Sequence, residues 1–128
     1  ECLQFEDEKD NAATTAAEVE AILSGTKFKV ETFITGGVNK ANDYANWSIE
    51  FTNDSKIVAK NIINSVLGEI EGTYSVSSET DAFVNINFAN NTAVSALKND
   101  WIVSTYSNTL VTLKSKTDAS VTLAFKKL

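Results

Sequence analysis

A chain of 128 residues with 43% apolar and 9% aromatic side chains suits one domain that buries roughly two-thirds of its unfolded surface. Its 11 basic and 17 acidic residues leave a net charge of −6, a field that repels a phosphate backbone, so nucleic acid is not an expected partner. There is no histidine and one cysteine, Cys2, which excludes Ser-His-Asp and Cys-His nucleophiles, most zinc sites and any intrachain disulfide.

No run approaches the ~20 apolar residues of a membrane-spanning helix. The opening lacks a basic-then-apolar export pattern, so the expectation is that any such signal has already been removed. Residues 1–11, "ECLQFEDEKDN", are acidic and poor in core material, and are expected to form a leader or linker. The cluster Glu6, Asp7, Glu8 and Asp10 lacks the ligand spacing and glycine turn of an EF-hand loop, which favours a solvated tail over a calcium site. Neither a metal nor a cofactor is expected.

From residue 12 to 128 one domain is expected. Ala12, Ala16, Val19 and Leu23 recur at three- and four-residue steps, predicting a short amphipathic helix. Thr15 and Glu18 have the spacing of a capping box, and Gly25 stands at the stop.

The period then changes to two. "KFKVETFIT" places Phe28, Val30, Thr32 and Ile34 on one face, with Lys27, Lys29, Glu31 and Phe33 on the other. After the Gly36-Gly37 loop, "YANWSIEFT" alternates Trp47, Ile49 and Phe51 with Ser48, Glu50 and Thr52. "NDS" is a hairpin-type turn leading into "KIVAKNII". "EIEGTYSVS" follows, then "AFVNINFAN", with Val84, Ile86 and Phe88 opposite Asn85 and Asn87. "NTAVSALKN" suits one or two helical turns, and "DWIVSTYS", "TLVTLKS" and "SVTLAFKK" complete the set.

Alternation on "DWIVSTYS" separates Trp101 from Tyr106 onto opposite faces. Eight short strands joined mostly by hairpin turns leave two edges to hide, and closure removes both. The predicted fold is therefore all-β: an antiparallel up-and-down barrel of eight strands with one N-terminal α-helix. The absence of proline agrees with a chain of mostly paired strands.

Gly25-Thr26 and Gly72-Thr73 each precede an alternating strand. With the helix, "LSGT", the glycine loop, "FTNDS", "GTYSV" and the closing "DWIVSTYSNTLVTLKS…VTLAFKK", the chain resembles the lipocalin-like domains of secreted and envelope-anchored bacterial proteins. The resemblance covers about residues 13–127 and implies a lipocalin-type barrel on an exported protein, in the cell envelope or secreted. Relatives carry Trp after the first Gly-Thr, plugging the closed end; this chain has Lys27 there, and Tyr74 after the second. Either Phe28 substitutes for the plug or the floor is looser.

Two functions from different classes remain open. In the first, the barrel is a non-enzymatic binding module for a small apolar or amphipathic molecule at its open end. Phe28, Trp47, Phe51, Tyr74, Phe88 and Trp101 would line it, Phe125 being a further interior aromatic. In the second, a filled barrel is a structural or interaction domain of the envelope, contacting protein or glycan through its outer face or loops, with Phe33 and Tyr44 exposed beside Gly36-Gly37. An enzyme ranks third, because alternation turns Glu50, Glu69 and Glu71 outward. Membrane association would come only through a lipid on Cys2, which Glu1 disfavours.

Overall fold

The expected alternation becomes one helix and nine strands in a computed structural model describing residues 4–63, 69–89 and 94–128, with residues 4–10 described by their backbone alone. The helix, α1, spans Gln4–Leu23. The strands are β1 (Thr26–Thr35), β2 (Val38–Asn39), β3 (Trp47–Phe51), β4 (Lys56–Asn61), β5 (Glu69–Ser78), β6 (Ala82–Asn87), β7 (Asn99–Tyr106), β8 (Leu110–Ser115) and β9 (Thr122–Lys127). Short 3-10 turns cover Ala41–Tyr44 and Ser95–Leu97.

The nine strands pair antiparallel throughout, apart from an isolated parallel bridge between Ser24 and Phe51, and from β3 onward each strand pairs with the next in sequence. β1 makes the closure: Thr26, Lys27 and Phe28 face β3, while Phe28 to Ile34 face β9. The result is a closed eight-stranded antiparallel barrel, because β2 only extends the tip of β1 by two residue pairs. Closure pairs the first strand with the last and so removes the two edges an open meander would expose.

α1 starts earlier than the capping box predicts. Residues 4–11 contain neither glycine nor proline, and Gln4, Glu6, Glu8 and Lys9 are good helix formers, so the helix runs through them from Gln4. Thr15 therefore lies within the helix rather than at its cap. The buried stripe is the predicted one, Ala12, Ala16, Val19 and Leu23. The exit also matches: Gly25 adopts φ +73° and donates its N–H to the Phe51 carbonyl at 2.6 Å. Left-handed backbone costs a side chain about 1–2 kcal/mol, so glycine suits the position. α1 packs mainly on β5 and β6, across the end where β1 begins.

Two β-bulges alter the face assignments. In β1 the register against β9 shifts between Val30 and Thr32, so Phe33 turns inward with Val30 instead of outward with Glu31. Phe33 and Tyr44, expected to be exposed, are both buried, their rings edge-to-face at 5.8 Å. In β7 a shift between Val103 and Thr105 puts Tyr106 opposite buried Val111, on the same face as Trp101. An extra residue reverses the alternation beyond it, which a strict period of two cannot anticipate.

Candidate functional site

The six residues expected to line a ligand site, Phe28, Trp47, Phe51, Tyr74, Phe88 and Trp101, are all buried. None of the six lines the grooves found among the described residues. Phe51 is the hub of a ring cluster, edge-to-face with Tyr74 at 4.9 Å, Phe125 at 5.5 Å and Phe28 at 5.7 Å. Phe28 and Phe125 close the set at 6.3 Å. Such separations are those of mutually attracting aromatic pairs. Lys27 is exposed, and it is Phe28 that carries aromatic bulk into the interior from the first Gly-Thr element.

Phe88 fills the space above Gly72, where an added β-carbon would come within 2.8 Å of its Cδ1 and 2.3 Å of the Asn87 carbonyl oxygen. The two Gly-Thr elements thus need glycine for different reasons: Gly25 for its positive φ, Gly72 for close approach. Trp101 donates its indole N–H to the Leu97 carbonyl at 3.0 Å, satisfying its polar atom within the core. Trp47 faces inward at the end opposite α1, the end at which Phe33 and Tyr44 also pack.

The polar handles are likewise engaged. Tyr74 donates its hydroxyl to the Thr52 carbonyl at 2.9 Å, and burial pushes its pKa up. Burial, then the neighbouring Asp43 charge, raises that of Tyr44. Tyr106 donates its hydroxyl to Glu18 on α1, tying helix to barrel, and this hydrogen bond raises its pKa. Among the described residues no buried side-chain polar atom lacks a partner, and no three His, Cys, Asp or Glu side chains gather as metal ligands. Cys2 lies outside the described residues.

The outer face of β5 to β8 carries a second arrangement that sequence reasoning did not single out. Phe83 and Ile102 are cross-strand partners, half-buried on the outside of the barrel. Beside them Asn85 pairs with Asp100 and donates its amide N–H to the carboxylate. The Lys116 ammonium lies 5.0 Å from the centre of the Phe83 ring. Two adjoining grooves, of about 430 and 320 Å³, both include Asn85 and Asp100 in their walls. The available signal was Phe83 itself, an aromatic on the Asn85 and Asn87 side of an otherwise clean alternation.

No protein-family model matches the chain, and no curated protein matches it. Among solved structures, the chain is similar to a DUF4847 family protein from Bacteroides vulgatus, with a TM-score of 0.61 and 22% identity. The alignment covers 84% of this chain and 96% of that one, so the likeness extends over most of the barrel. At that identity it concerns the fold.

Proposed function

We propose that this chain is a lipocalin-like, non-enzymatic interaction domain whose filled barrel is a scaffold and whose outer face makes the functional contacts. The observation that carries the reading is the interior ring cluster. Phe28, Phe51, Phe88, Trp101 and Phe125 are each at most 1% exposed, which supports an interior packed by its own side chains. A barrel of eight strands encloses room for its own side chains or for one small ligand, and rings this buried and this close to one another support the first. The reading includes export to the bacterial cell envelope or secretion, which rests on the resemblance carried by the ordered strand motifs.

The test is native mass spectrometry of the purified chain, with titration of a hydrophobic fluorophore such as anilinonaphthalene sulfonate. The expected result is the bare mass and no saturable uptake. A co-purifying apolar adduct, or one-to-one uptake of the probe, would favour the small-ligand module instead.

A further inference from the structure

We infer that the outer face of β6 and β7 binds a neutral saccharide, with Phe83 as the stacking platform and the Asn85–Asp100 pair as the hydroxyl-reading group. This rests on the reading that the outside of the barrel, not its interior, is functional.

The face is built in cross-strand rows. Ser77, Phe83, Ile102 and Lys114 form one row across β5 to β8. Ser75, Asn85 and Asp100 form the next, continued by Lys116, whose backbone N–H donates to the Asp100 carbonyl at 2.9 Å. A flat apolar ring thus lies one row from a fixed amide–carboxylate pair. A pyranose has the matching pattern: a face of C–H groups beside edge hydroxyls that both donate and accept. The Asn85–Asp100 contact engages one amide hydrogen and one carboxylate oxygen, and the pair offers further donor and acceptor positions beyond it.

Competing ligand classes fit less well. A peptide added as a strand needs an unpaired edge, but β6 and β7 are paired on both sides. A lipid needs a broad apolar area, whereas Phe83 and Ile102 are half-buried and ringed by polar groups. An ionic ligand needs one sign of charge, yet the grooves are lined by two lysines, Lys98 and Lys116, and two acids, Glu79 and Asp100. Together the grooves have the scale of a small-ligand site. The exposed cation–π contact of Lys116 is weak and flexible enough for a sugar ring to displace it.

The experiment is a titration of the full chain, followed by ¹H–¹⁵N spectra, with maltohexaose, chitotetraose and mannotetraose as probes. At least one should shift the amides of Phe83, Asn85, Asn87 and Asp100 saturably at millimolar concentration. Phe83→Ala should weaken that binding about tenfold. Asn85→Ala, at an exposed position outside the core, should weaken it similarly while the rest of the spectrum stays unchanged. If no probe moves these amides, or the shifts survive both substitutions, the assignment of this face is overturned. Interior uptake of the hydrophobic fluorophore is a separate outcome: it defeats the filled-barrel reading, whereas a silent saccharide titration with a closed interior defeats only this site.

Discussion

Replacing Phe51 by alanine removes the hub of the interior cluster. The side chain is fully buried and sits edge-on to Phe28, Tyr74 and Phe125. A buried Phe→Ala change costs about 3–5 kcal/mol in transfer and cavity terms. Losing three aromatic pairs, each worth about 0.5–1.5 kcal/mol, puts this site toward the upper end, about 4–5 kcal/mol. That is a third or more of the ~5–15 kcal/mol that holds a domain folded. In urea, a slope of about 2 kcal/mol/M converts the loss into a midpoint lowered by roughly 2–2.5 M. Phe51→Leu keeps much of the volume but loses the same ring pairs, so it should cost about 1.5–3 kcal/mol, less than alanine, and the comparison survives even if the alanine variant fails to fold. The alanine variant should also gain a dry apolar cavity, and benzene should raise its midpoint by mass action while leaving the parent chain unmoved. A loss below about 1 kcal/mol for Phe51→Ala, or benzene stabilisation of the parent chain, would refute the packed-interior reasoning.

Gly72→Ala should destabilise by about 1–3 kcal/mol in the same denaturation assay, although alanine normally outperforms glycine in a strand, because the new β-carbon meets the Asn87 carbonyl at 2.3 Å. A neutral or stabilising result would mean that β5 and β6 are not this close. Asp118 accepts from the Ser120 hydroxyl at 2.6 Å and from its backbone N–H at 3.0 Å, and these bonds hold its carboxyl below the ordinary range. A folded-state pKa below the unfolded one gives a contribution present above the unfolded value and lost as pH falls through the folded one. Asp118→Ala should therefore be less stable than the parent at neutral pH, and the two should converge in strong acid. A carboxyl ¹³C titration placing Asp118 at the ordinary position would contradict this.

Strand existence and order were legible because alternation with turn residues between runs is a local signal. Val84, Ile86 and Phe88 versus Asn85 and Asn87 emerged on the two faces as the residue types dictate. Less local features were not legible. The start of α1 differs from the expectation because a capping-box match at Thr15 and Glu18 is a short pattern, and no glycine or proline upstream interrupts the helix from Gln4. Glu18 instead receives the Tyr106 hydroxyl, a partner 88 residues away that no local pattern reveals. The six buried aromatics could be named from alternation, but not the ring contacts that Phe51 makes with Phe28 and Tyr74. Those depend on which strands oppose each other after closure.

The two bulges account for the aromatic assignments that a strict alternation misses, and they have a common consequence. Each interrupts a pairing near one end of the barrel and turns one further ring inward: Phe33 toward Tyr44 at the end opposite α1, Tyr106 beneath α1 at the other. Without the shift at Val30/Thr32, Phe33 would share the outer face with Lys29 and Glu31, and Tyr44 would lose its edge-to-face partner. Without the shift at Val103/Thr105, Tyr106 would point away from the helix and its bond to Glu18 could not form. The inward placement of both rings thus depends on two inserted residues rather than on the apolar pattern alone. Bulges re-aim side chains at barrel rims, and here each re-aimed ring gains a partner that strict alternation would deny it: Tyr44 for Phe33, Glu18 for Tyr106.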